Sequence, residues 1–155
     1  MAMDWYHFLK RYVWDENKTP FLIDVDKLNK SQANSEIFLY ALFLAVPGAL
    51  AGAAAVAHAM QDGLDALALV GLYGFTMVGA AALLHARKHV PSAYYSVTAP
   101  ILLIVGLILH GFHPRLAWLD QIVLIAVLLL WLRYTVRVAA IVRHYPQMPE
   151  KPKTE

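Results

Sequence analysis

Four long apolar runs dominate the chain, and short polar breaks separate them. Residues 36–59 carry no charge after Glu36, and residues 64–84 carry only Asp65, near the start. Residues 96–112 are uncharged with His110 close to their end, and residues 116–132 hold only Asp120, again near the start. A helix rising 1.5 Å per residue needs about 20 residues to cross a hydrocarbon core of roughly 30 Å. The first two runs meet that length and the last two approach it. The fourth lengthens if Arg133 and Arg137 reach back to the interface. The links, Met60 to Gly63, His85 to Tyr95 and His113 to Arg115, are short enough to force antiparallel neighbours. The pattern therefore predicts an all-α fold, a four-helix transmembrane up-down bundle.

The stretch before the first run has a periodicity of its own. Trp5, Phe8, Leu9 and Tyr12 recur at i, i+3, i+4 and i+7, with His7, Lys10 and Arg11 off that stripe. Aromatic residues on one face and cations on the other predict a short N-terminal amphipathic helix lying in the membrane interface. Asp15 to Asn34 is polar, broken by Pro20, and reads as a loop with one apolar patch at Phe21 to Val25. Past Leu132, Tyr134, Val138, Ile141 and His144 continue a helical spacing, so the fourth helix is expected to project beyond the core. The organisation is then an N-terminal segment over 1–35, a membrane domain over 36–145, and a tail over 146–155 made extended or disordered by Pro146, Pro149 and Pro152.

Composition agrees with a membrane-embedded domain. Hydrophobic residues make up 59% of the 155 and charged residues 15%, against about 25% charged in soluble domains. Mean hydropathy is +0.50. A net charge of +2 without a basic stripe excludes a nucleic-acid partner, and the absence of cysteine excludes disulfides and thiolate chemistry. Charge distribution predicts the orientation. Of the 13 Lys and Arg residues, all but Arg115 fall before the first run, in the link carrying Arg87 and Lys88, or after the fourth run. The positive-inside rule makes that side cytoplasmic and puts both termini there. Alanine-rich helices and an N-terminus unlike a transit peptide favour a bacterial inner membrane for this multi-pass chain.

The helix faces suggest what packs where. Ala45, Gly48, Gly52 and Ala55 share one face of the first helix, and Gly48 and Gly52 form a GxxxG. Gly71, Gly74 and Val78 offer a similar face on the second. Small residues let backbones approach closely where the hydrophobic effect cannot drive helices together. These faces either join the first two helices or dock another subunit. Pro47 is expected to kink the first helix, and Pro100 falls in the first turns of the third. Ile122 to Leu132, with Leu128 at its centre, suits lipid or a broad apolar partner. Arg133 and Arg137 share a face one turn apart and suit anionic headgroups or a partner's carboxylates.

Histidine is the residue type best able to carry chemistry. His58 and His110 end the first and third runs on the same side, where two imidazoles would hold a b-type haem. His85 with His89, and His110 with His113, are close in sequence, but no cysteine or glutamate stands at ligand spacing beside them. Imidazole is also at home at an interface, so no metal, cofactor or catalytic residue is expected. Asp120 is placed to cap the fourth helix. The reading that follows is a small non-catalytic accessory or structural subunit of a larger membrane complex, respiratory or photosynthetic. Its partners would be membrane lipids and other membrane subunits. The alternatives are a small enzyme or transporter acting on lipid or quinone, and a haem-binding redox subunit.

Overall fold

The computed structural model describes residues 23–63, 66–112 and 116–150. The amphipathic stripe from Trp5 to Tyr12, His113 and residues 151–155 of the tail lie outside them. Among the described residues every regular element is helical: α1 (Lys30–Asp62), α2 (Ala66–Arg87), α3 (Val90–Ser96), α4 (Thr98–His110) and α5 (Trp118–His144), with 3-10 turns at Val25–Lys27 and Tyr145–Gln147. Four spans are long and apolar enough to cross a membrane, as a multi-pass membrane protein requires. They are Lys30–Gln61, Ala68–Arg87, Val90–Leu109 and Trp118–Gln147.

Two helix starts lie well ahead of those read off the hydropathy, each for a local reason. α1 starts at Lys30 and not at Glu36 because Asn29 and Gln32 form a capping box. The Asn29 side chain accepts from the Gln32 N–H at 2.9 Å, and the Gln32 side chain accepts from the Asn29 N–H at 3.1 Å. Two of the orphan donors of the first turn are thereby satisfied, and the polar residues ahead of Glu36 become helical.

The third span starts at Val90, with Pro91 in its first turn, where a missing N–H costs nothing. It is built from two pieces. The ring of Pro100 excludes the carbonyl of residue i−4, which is Ser96, and removes one donor. The helix tightens there, Val97 N–H bonding the Tyr94 carbonyl at 3.1 Å, before α4 resumes at Thr98. Pro47 lies inside α1, which runs unbroken through it.

After the turn at Tyr145–Gln147 the tail has extended backbone at Met148 and packs against the helices. Met148 is buried, and the Pro149 carbonyl accepts the Lys30 N–H at 3.0 Å, capping the start of α1 from the far end of the chain. Lys30 Nζ stands 3.4 Å from the Glu150 carboxylate. The start of α1 and the end of α5 therefore share one end of the molecule, called the base below. Leu28, Ile37, Tyr40, Val138, Ile141 and Val142 form the core there.

α2 also ends at the base. Lys88 closes it in the left-handed region, at φ 51°, with its N–H on the Leu84 carbonyl. Its ammonium donates to the His85 carbonyl and lies 5.7 Å from the Tyr145 ring centre. Partial burial among these groups lowers its pKa below the usual 10.5.

Candidate functional site

α1 and α2 make the most extensive contact in the molecule, and glycine makes it possible. A Cβ on Gly74 would lie 2.6 Å from the Gly48 carbonyl oxygen, and one on Gly48 would lie 2.8 Å from the Gly74 carbonyl oxygen. A Cβ on Gly71 would collide with the Ala55 methyl, and one on Gly52 would meet the Phe75 ring at 2.7 Å. The small-residue faces of both helices are thus turned toward each other, backbone against backbone at Gly48 and Gly74.

A second set of contacts ties α1 to α3 and α5 in the half of the molecule nearest the base. Glu36 is completely buried. Arg137 grips its carboxylate with two parallel hydrogen bonds, Nε to Oε2 at 3.1 Å and Nη2 to Oε1 at 3.0 Å. This fork geometry is the strongest form of ion pair available to side chains. One turn further along α1, the fully buried Tyr40 hydroxyl lies 3.2 Å from Ser96 Oγ and 3.1 Å from Thr135 Oγ1. Ser96 and Thr135 donate their own protons to the Ala93 and Trp131 carbonyls. The single Tyr40 proton therefore serves two acceptors on two different helices.

Further from the base, Tyr73 Oη pairs with Thr98 Oγ1 and Thr76 Oγ1 with Tyr95 Oη, each at 2.7 Å, joining α2 to the third span. In an environment without water, polar groups that bond each other specify which helices meet and in which register.

Arg137, expected at headgroups or on a partner, is instead turned inward onto Glu36. Arg133 remains exposed. Leu128, expected toward lipid or a broad apolar partner, is buried within this chain at 5% exposure. The helix turn that exposes Leu129 and Leu130 rotates Leu128 inward, onto the face shared with Thr135 and Val138.

The half of the molecule away from the base is more open. An apolar cavity of about 550 Å³ lies between the α1–α2 hairpin and α4, walled by Pro47, Gly48, Gly74, Leu102, Leu103 and Trp131 among others. Gly106, on α4, has nothing within 4 Å of where a Cβ would sit. A volume of this size falls within the range of small-molecule sites, roughly 300–1,000 Å³.

The histidines are dispersed. His58 is half-buried near the end of α1, and His110 ends α4, its side chain outside the described residues. α4 packs on α5 and α3. His85 rests on the Phe38 ring with centroids 5.1 Å apart, and His89 Nδ1 bonds Ser92 Oγ at 2.8 Å at the start of α3. Among the described residues no three His, Asp or Glu side chains gather as a metal site. The Asp120 carboxylate accepts the Ala117 N–H at 3.2 Å and so caps the start of α5.

Hydropathy did not single out Glu36, Tyr40, Ser96 or Thr135. The available signal was an acid at one end of the first run and a base at the far end of the fourth. In a bilayer such a pair is stable only when the two meet. No protein-family model, curated protein or solved structure matches this chain.

Proposed function

We propose that this chain is a small, non-catalytic accessory subunit of a larger membrane complex of the energy-converting kind. It is a four-helix up-down bundle with both termini cytoplasmic, in a bacterial inner membrane. The observation that carries this reading is how the polar interior is spent. Glu36, Arg137, Tyr40, Ser96 and Thr135 bond one another to hold three helices in register. What faces outward is long apolar helix surface such as Leu129, Leu130 and Val136. A framework with its polarity turned inward and broad apolar flanks suits a body that packs beside other membrane proteins.

The test is extraction in mild detergent followed by native mass spectrometry. A partner of fixed stoichiometry is the expected result, and a clean monomer with no partner would overturn the reading.

Ten of the 13 basic residues gather at the links and ends assigned to the cytoplasm, Arg133 and Arg137 lie within α5 toward that end, and Arg115 alone falls in the opposite links. In a chain without native cysteine, single cysteines at Asn17, Gly63, Lys88 and Lys151 report the side directly. Only the one at Gly63 should react with an impermeant thiol reagent from outside. Outside labelling at Asn17 or Lys151 reverses the assignment.

The 550 Å³ apolar cavity favours a second reading, in which the chain acts on or carries a lipid or quinone. Under that reading one such molecule copurifies at fixed stoichiometry, and Leu102→Trp, which narrows the cavity from its α4 wall, removes it. The haem reading requires a Soret band that His58→Ala and His110→Ala both abolish.

A further inference from the structure

We propose that the outer face of α5 docks a transmembrane helix of a second subunit, through a carboxylate on that helix set against Arg133. The proposal rests on the accessory-subunit reading and gives it a surface and a partner chemistry.

Arg133 lies one turn before Arg137, and about 16 Å from the end of α5 at His144 at 1.5 Å per residue. It is exposed, and among the described residues no carboxylate meets it. The surface around it is apolar, with Leu129 53%, Leu130 66% and Val136 55% exposed. A guanidinium at this depth faces hydrocarbon unless an anion comes to it, and arginines so placed pair within the bundle or with a neighbouring protein. The bonds from Cα to Cβ lean toward a helix's N-terminus. Arg133 thus starts out leaning away from the headgroups at the base, where α5 ends.

The residues on its face are spaced for a helix partner. Ala126, Leu129, Arg133, Val136 and Ala140 follow one another at alternating steps of three and four, the seam of a left-handed helix pair. The alanines at either end let a second backbone come close, and such crossings near 20° are common between transmembrane helices. The opposite face of α5, with Leu128, Thr135, Val138 and Ile141, is already buried in this chain.

A second copy does not fit this surface. Among the described residues the acid nearest this depth is Glu36, which Arg137 already holds, so a two-fold contact here would set arginine against arginine.

A photo-crosslinking residue at Leu129, at Val136 and, as a control on another exposed face, at Val127 tests the proposal in membranes of cells that produce the whole complex. Adducts are expected at Leu129 and Val136 and not at Val127. The cross-linked peptide should come from a membrane-spanning segment of another protein that contains Asp or Glu. Arg133→Leu and Arg133→Glu should each lower the adduct about tenfold or more, as removal of one member of a desolvated pair does. Arg133→Lys should retain it. Reversing the partner's acid to Arg should restore the adduct with Arg133→Glu.

Adducts with lipid alone, adducts between two copies, equal yield at Val127, or yield indifferent to Arg133→Glu would each overturn the proposal. If a stoichiometric partner copurifies but cross-links only at other faces, this inference fails while the subunit reading stands. If no protein partner copurifies, both fail.

Discussion

Arg137→Met should destabilise the protein by about 3–5 kcal/mol, the cost of stranding the other member of a buried ion pair. Glu36 has no exposed surface, and both of its carboxylate oxygens are held by Arg137. Without the guanidinium the charge has neither water nor a counter-ion. Glu36→Leu strands the arginine instead, and because the Arg137 side chain keeps 20% of its surface accessible, the loss should sit at the lower end of that range.

The double variant Glu36→Leu with Arg137→Met removes both charges together. Two well-packed apolar groups replace a pair that had to be desolvated, so stability should return to within about 1 kcal/mol of the parent or exceed it. Thermal unfolding of the three variants in one detergent reads this directly. A harmless Arg137→Met, or a double variant as damaged as the single, would show that the pair does not hold α1 to α5.

Gly74→Leu and Gly48→Leu are expected to be comparably severe for a different reason. Overpacking costs about 1–3 kcal/mol where neighbours can yield. At these positions the obstacle is a carbonyl oxygen of the opposite helix, 2.6 Å from the Cβ position of Gly74 and 2.8 Å from that of Gly48. Backbone cannot rotate aside, so the whole α1–α2 contact must separate.

Gly52→Leu should be milder, because what it meets is the Phe75 ring, a side chain with freedom to swing. Gly106→Leu enters open space and should be close to neutral. Leu128→Ala is no neutral comparison, since the side chain is buried and its loss should cost about 2–5 kcal/mol. The order Gly74 ≈ Gly48 > Gly52 > Gly106 in the loss of unfolding temperature is the result to look for. A flat series would mean that the two helices are not held by close backbone approach.

The apolar runs and their number were legible because hydropathy over some twenty residues is a strong signal. The ends were less so. The capping box at Asn29 and Gln32 was present in the sequence, but a reading that begins a helix where charge stops passes over polar residues that are helical. The early start at Val90 was hidden in the same way by the polar stretch from Ser92 to Ser96.

The polar ladder was harder still. Tyr40, Ser96 and Thr135 look unremarkable one by one, and only the juxtaposition of three helices makes them partners. Helical periodicity places Arg133 and Arg137 on a common face. It cannot tell which of the two turns inward, because that depends on where Glu36 stands on another helix. The inward turn of Leu128 belongs to the same class of facts.

The separation between Glu36 and Arg137 sets a problem in time as well as in energy. The two lie 101 residues apart, and a ribosome adding about 5–20 residues each second needs roughly 5–20 s to travel from one codon to the other. Through that interval α1 has been synthesised while its counter-charge has not. Until α5 arrives no guanidinium holds the Glu36 carboxylate, and burying that charge alone would be costly. The contact that holds α1 to α5 at Glu36 therefore forms only after α5 has been made.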